Sequence, residues 1–249
     1  ECLIPEAKPG QMYKYRLTGA DGSLRDHGDP YGFAMELRPH SASFICEEEA
    51  CDFGDASWMK KRSVGKDRPL NIYEIHAGSW KRPLGGQKEW YDYEELGELL
   101  VPYLKEHGYN YVEVLPLAEH PCDESWGYQI TGFFSPTSRY GTPAQLKAMV
   151  KLLHSHDIGV IMDFVPVHFA VDDYGLRDYD GTALYEYPNQ DVGKSQWGSC
   201  NFMHSRGEVR SFLQSAANYW LTEFHFDGLR MDAISNMIYW QGDAARGEN

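Results

Sequence analysis

The sequence predicts an α/β protein: the N-terminal part of a parallel (β/α) barrel behind a short all-β segment. Three observations lead there. The run Ile158-Gly-Val-Ile-Met-Asp-Phe-Val-Pro-Val-His168 is apolar, reaches an acid, and carries a histidine five residues after it. The run Phe226-Asp-Gly-Leu-Arg-Met-Asp-Ala233 sets an arginine two residues before a carboxylate. Continuous apolar runs suit strands buried on both faces, as in parallel sheets. Polar groups at their C-terminal ends mark the face where barrel enzymes do chemistry. Third, from residue 69 onward, strand patterns alternate with helical ones.

Each element has its own signal. Residues 11–45 read as β: Met12-Tyr-Lys-Tyr-Arg-Leu17 alternates, Asp21-Gly22 marks a hairpin turn, Asp29-Pro-Tyr-Gly32 a second turn, and Ser41–Ile45 a last strand. Residues 46–68 are charged and irregular and read as a linker. Asn71–His76 is the first barrel strand. Tyr93–Glu106 has helical periodicity and stops before Gly108, a C-cap signal. Tyr111–Leu117 is the second strand, and a long loop follows. Thr142 as N-cap and Pro143 at the first helical position open a helix to His156. Val160–Val165 is the third strand. The next loop, about forty residues, exceeds ordinary connections and reads as functional. A helix from Glu208 to Phe224 leads to a fourth strand holding Arg230 and Asp232. The expected division is therefore 1–45, 46–68 and 69–249. Four successive β-then-α units make about half of an eight-stranded barrel. A doubly wound sheet has the same local pattern, but no Gly-rich phosphate turn follows the first strand.

Composition narrows the partners. A formal net charge of −14 argues against nucleic acid and anionic membranes. No signal peptide or membrane-length apolar run is visible, so a cytoplasmic location is expected. The five cysteines are scattered without a C-x-x-C pair, which suits reduced thiols. Cys46 and Cys51 flank an acidic run that reads as solvated linker rather than a metal site. Aromatic residues are abundant at 14%. Core packing is the default reading, but flat rings also cover the apolar faces of sugars. The chain starts at Glu1 and stops at Gly-Glu-Asn, and a piece of a longer protein is expected.

The acids carry the chemistry. On a strand, Arg230 and Asp232 point to the same side. A guanidinium beside a carboxylate keeps it ionised and oriented, which is the state a covalent nucleophile needs. A structural ion pair at a strand end is the plainer alternative.

Together these motifs resemble the α-amylase superfamily. Asp163-Phe-Val-Pro-Val-His168 is similar to its first signature region, Gly228-Leu-Arg-Met-Asp-Ala233 to its second, and Tyr109-Asn-Tyr-Val-Glu-Val-Leu-Pro116 to its second-strand motif. Within it the chain resembles the bacterial-type 1,4-α-glucan branching enzymes. That resemblance rests on Ile72–Trp80, Ala118-Glu-His-Pro121, Ser125–Gly132, Pro136–Pro143, Gly181–Tyr185 and Glu223–Gly228, and covers most of residues 69–249. Asp29–Pro39 resembles the end of an immunoglobulin-like β-sandwich carbohydrate-binding module.

The resemblance implies a (β/α)8 TIM barrel and a retaining transfer that cuts α-1,4 links and makes α-1,6 branches. By motif position, Asp232 is the nucleophile, Arg230 orients it, and Asp163 maintains hydrogen bonding in the site. His168 bonds the sugar just before the scissile link, and Tyr128 stacks on that sugar. His120 and Trp126 shape a loop, and His76 is a lesser candidate. The partner implied is an α-glucan such as glycogen, with no metal and no organic cofactor. The acid/base glutamate is expected after a fifth strand and a His-Asp pair after a seventh, both beyond residue 249. Glu223 and Glu248 do not sit in the matching motif. A glycogen-debranching or related α-glucan hydrolase shares both signatures. A non-catalytic glucan-binding protein is the alternative from another class.

Overall fold

The computed structural model describes residues 3–47, 51–62, 69–86 and 88–239. The N-terminal strands are short. β1 (Met12–Tyr13), β2 (Tyr15–Thr18), β3 (Leu24–His27) and β4 (Ser43–Phe44) form two antiparallel ribbons, β1 with β4 and β2 with β3. The alternating run is interrupted at Lys14, and the Asp21-Gly22 turn closes β2 onto β3, with Gly22 N–H donating to Gly19 O. An immunoglobulin-like sandwich is not seen among the described residues. The irregular linker expected over 46–68 holds a helix, α1 (Ala56–Arg62). Its residues are good helix formers, and Lys60, Lys61 and Arg62 in its last turn complement the helix dipole.

The barrel units follow. They are β5 (Ile72–Ile75), α2 (Ala77–Trp80), α3 (Tyr93–Glu106), β6 (Tyr111–Val114), β7 (Ala118–Glu119), β8 (Gly132–Pro136), α4 (Pro143–Ser155), β9 (Gly159–Phe164), β10 (His168–Phe169), α5 (Gln190–Gly193), β11 (Cys200–Asn201), α6 (Gly207–Glu223), β12 (Gly228–Met231) and α7 (Ser235–Ile238). Four of these strands form one parallel sheet in the order β12-β9-β6-β5. Neighbours in the sheet are neighbours in sequence, with no reversal point of the kind a doubly wound sheet requires. This is the strand order of a barrel wall.

Caps set the helix limits. Asp92 opens α3 and Thr142 opens α4, each by a reciprocal capping box, with Glu95 and Gln145 respectively. The two long connections are more structured than their sequences suggested. β7 pairs with β8 inside the first, and β10 with β11 inside the second.

The sheet is not apolar on both faces, as continuous hydrophobic runs had implied. Val112, Val114, Val160 and Met162 are fully buried and pack with Leu96, Leu100, Leu146 and Leu153 of α3 and α4. Each such side chain contributes about 1.5–3 kcal/mol relative to exposure. The residues between them form the opposite face, and there Glu74 is exposed while Glu113, Ile161 and Gly228 are half-buried. Strand alternation therefore survives, hidden by one apolar residue, Ile161, on the polar side.

A polar junction joins α1 to the N-terminal ends of β9 and β12. Trp58 is buried against the His154 ring, 5.3 Å between centroids, and its Nε1–H donates to Asp227 Oδ1 at 2.8 Å. The fully buried His154 side chain lies between Asp55 Oδ2 at 2.8 Å and Asp227 Oδ2 at 3.0 Å. His225 reaches the same Asp55 oxygen at 2.9 Å, and Asp227 also accepts Val160 N–H at 2.7 Å. Burial alone would raise both carboxyls, but their histidine partners hold them below the usual carboxylate range.

Candidate active site

The C-terminal ends of β9 and β12 bring three charged groups together. Asp163 and Arg230 are register partners across the parallel pair, and Asp232 lies just past β12 with its N–H donating to Phe164 O at 3.1 Å. Arg230 and Asp232 share a side, as period-two alternation requires. One nitrogen, Arg230 Nη1, bridges both acids, at 2.7 Å from Asp163 Oδ2 and 2.9 Å from Asp232 Oδ1. The Asp163 side chain is almost wholly buried, whereas Asp232 stays 28% exposed and open to a ligand.

Tyr128 enters from the β7–β8 loop. Its hydroxyl donates to Asp163 Oδ2 at 2.6 Å and accepts from Arg230 Nη1 at 3.3 Å. Asp163 therefore receives two donors on one oxygen, while Oδ1 is buried with no partner among the described residues. Burial pushes the Asp163 carboxyl up, opposed by Tyr128 and Arg230. Burial and the Asp163 hydrogen bond also raise the Tyr128 phenol.

His168 begins β10 and is buried. The Trp197 ring lies 5.1 Å from it, tilted by 37°. Burial pulls the imidazole down to about 4, with Asp232 opposing, so it is neutral at pH 7. Its Nδ1 has no partner among the described residues. Ala170 N–H donates to Ile130 O at 3.0 Å, tying the His168 segment to the Tyr128 loop.

The lesser candidates bond other partners. His120 is buried and bonds Ala118 O through Nδ1 at 2.9 Å. His76 bonds Ser79 Oγ at 2.9 Å, and its ring lies 6.0 Å from the exposed Trp126. Glu223 ends α6 near Lys147, and Glu248 lies outside the described residues. Two residues near the site drew no notice in the sequence. Trp197 stands over His168, and its only local signal is a bulky aromatic before Gly198 inside a long loop. Glu113 sits directly across from Glu74, and its carboxyl is raised by burial, by Glu74 and by Asp163. It belongs to the Tyr109–Pro116 motif, where its position signals only a strand. No His, Cys, Asp or Glu group suited to a metal occurs among the described residues. No described helix is long and apolar enough to cross a membrane.

Known proteins resemble this chain in sequence and fold. The family described as "Alpha amylase, catalytic domain" matches residues 90–179. The 1,4-alpha-glucan branching enzyme GlgB of Fusobacterium nucleatum is 46% identical over 97% of this chain, and that of Geobacillus stearothermophilus 48% over 96%. The chain is thus similar to an α-amylase catalytic domain over its middle part and to GlgB proteins over nearly all of its length. A solved structure from Salmonella typhimurium, described as an alpha amylase, superposes with a TM-score of 0.74 at 26% identity, covering 94% of this chain and 36% of that one. The chain spans about two fifths of the curated relatives, 39% and 37% of the two GlgB proteins. Its four parallel strands are consistent with part of a barrel of that kind.

Proposed function

We propose that this chain supplies the nucleophile side of a 1,4-α-glucan branching enzyme. The observation that carries the reading is the single Arg230 nitrogen bridging Asp163 and Asp232 at adjacent strand ends, in a chain 46–48% identical to GlgB proteins.

In this reading Asp232 attacks the anomeric carbon of an α-1,4-linked glucan. The C–O link breaks, its oxygen leaves as a 4-hydroxyl, and a glycosyl ester forms on Asp232. A 6-hydroxyl of another glucan then displaces the carboxylate and makes an α-1,6 link, its proton passing to the group that earlier protonated the leaving oxygen. Two inversions give net retention. Arg230 fixes the Asp232 carboxylate, and Asp163 holds Arg230 from the other side. Neutral His168 can share a hydrogen bond with a sugar hydroxyl without competing for charge. Tyr128 places its ring beside the same sugar. The acid that protonates the leaving oxygen is assigned, from the family resemblance, to a strand beyond residue 249. The proposed division keeps residues 1–45 as the end of a glucan-binding module and 69–249 as barrel.

Replacing Asp232 by Asn in the complete enzyme tests the core of this reading. Shape is kept, but an amide cannot form the ester. New α-1,6 links on amylose should fall to near background while glucan binding stays measurable. Near-normal turnover, with deamidation excluded by mass spectrometry, sinks the assignment. Released sugar in place of new branches would point to a hydrolase.

A further inference from the structure

The loop that carries Tyr128 to Asp163 is pinned at its other end by charges that the proposed chemistry does not use. Asp123 opens a 3₁₀ turn, Asp123–Ser125. Two guanidiniums grip its carboxylate. Arg139, buried, donates Nε and Nη2 to Oδ1 at 2.8 and 2.6 Å. Arg38, from the segment between β3 and β4, donates Nε to Oδ1 at 2.7 Å and Nη2 to Oδ2. Arg38 also lies 5.5 Å from the Trp90 ring centre. Its hydrogen bonds come first among the causes that hold Asp123 down to about 2, so the clamp stays charged at any working pH.

Between the clamp and Tyr128 the chain has no slack. Ser125 Oγ–H donates to Cys122 O at 2.7 Å, and Tyr128 N–H donates to Ser125 O at 3.0 Å. Trp126 and Gly127 both take positive φ, 55° and 95°. A Cβ on Gly127 would lie 2.4 Å from Pro116 O, so the loop crosses directly over the end of β6. Moving Asp123 therefore moves Tyr128.

We propose that Arg38 is a positioning residue: by clamping Asp123 it sets the Tyr128 hydroxyl against Asp163 and ties the N-terminal segment to the catalytic cleft. A purely structural role fits less well. Arg38 and Asp123 are each about one-third exposed, and exposed pairs add little stability. Their two-point geometry instead supplies direction. The buried partner, Arg139, keeps Glu119 company at 2.8 Å whether or not Arg38 is present. Removing Arg38 thus strands no buried charge.

The reaction readout rests on the branching assignment, so a second readout stands apart from it. In the complete enzyme, Arg38→Met should lower kcat/KM for new α-1,6 links on amylose by up to about 100-fold, the scale of a small misplacement. In a Tyr128→Phe background the same change should cost less than about twofold, because the positioned group is already gone. Arg38→Lys should restore only part, since an ammonium lacks the two-point fork. Independently, 3-fluorotyrosine at position 128 should titrate above the free amino acid in the parent and move back toward it with Arg38→Met. Equal losses in both backgrounds, or a fluorine signal unmoved by Arg38→Met, overturn the proposal. A parent that makes no branches overturns the functional assignment and leaves the fluorine result to judge Arg38.

Discussion

At the scale of single residues, burial and charge set the site in opposite senses. His168 is buried without a protein partner for Nδ1, so its imidazole titrates near 4 rather than 6.5. The folded state thus binds the proton less readily than the unfolded chain. This contribution to stability is complete above pH 6.5, falls as pH drops through 6.5, and is gone below about 4. The span corresponds to roughly 3 kcal/mol at about 1.4 kcal/mol per tenfold change. His120, also drawn down to about 4 by burial and by Arg139, adds loss in the same window. Nitrogen-15 imidazole shifts should show His168 neutral at pH 6, and His168→Gln should flatten the acid side of the stability curve. An imidazolium at pH 6 would contradict the burial argument. The residues of this cluster were legible in sequence because Arg230 and Asp232 obey period two and Asp163 ends an apolar run. Tyr128 was legible only through its motif: nothing in Gly-Tyr-Gln foretells a hydroxyl 2.6 Å from Asp163. Trp197 and Glu113 depended on which loop and which strand would face the cleft, and no local pattern encodes that.

At the scale of elements, the sequence locates the long helices to within a residue and the barrel strands to within three, but not α1. Asp92 and Thr142 announce their helices chemically. By contrast, Ala56–Arg62 presents only one buried side chain, Trp58, amid lysines and arginine, too few apolar positions to show a period. Its stability comes from docking on His154 and Asp227, partners far along the chain. Trp58→Ala should therefore cost about 3–5 kcal/mol in urea denaturation. Trp58→Phe should cost about 1 kcal/mol, because Asp227 Oδ1 keeps Arg62 at 3.3 Å. An alanine variant within about 0.5 kcal/mol of the parent would mean that α1 is not held by this contact. The β7–β8 and β10–β11 pairs were missed for a related reason: two-residue strands carry no alternation to detect.

At the scale of the whole molecule, order along the chain translated into order across the sheet, which is why the barrel was legible. The polar face was not, because one apolar residue, Ile161, made a half-polar strand look uniformly hydrophobic. Among the described residues β5 and β12 each lack an outer neighbour, and Ile72, Met231, Ile234, Met237 and Ile238 beside them are exposed. Residues 1–249 alone should bind hydrophobic dyes, melt broadly and make no α-1,6 links, because open strand edges invite association. A sharp monomeric melt with new branches would overturn this. The α1 junction adds a temporal consequence. Trp58 and Asp227 are 169 residues apart. On a ribosome adding about 5–20 residues per second, roughly 8 to 34 seconds separate the making of α1 from the arrival of the carboxylate that receives it. For that interval the indole has no acceptor for its N–H, and a residue just before β12 fastens a helix made far earlier.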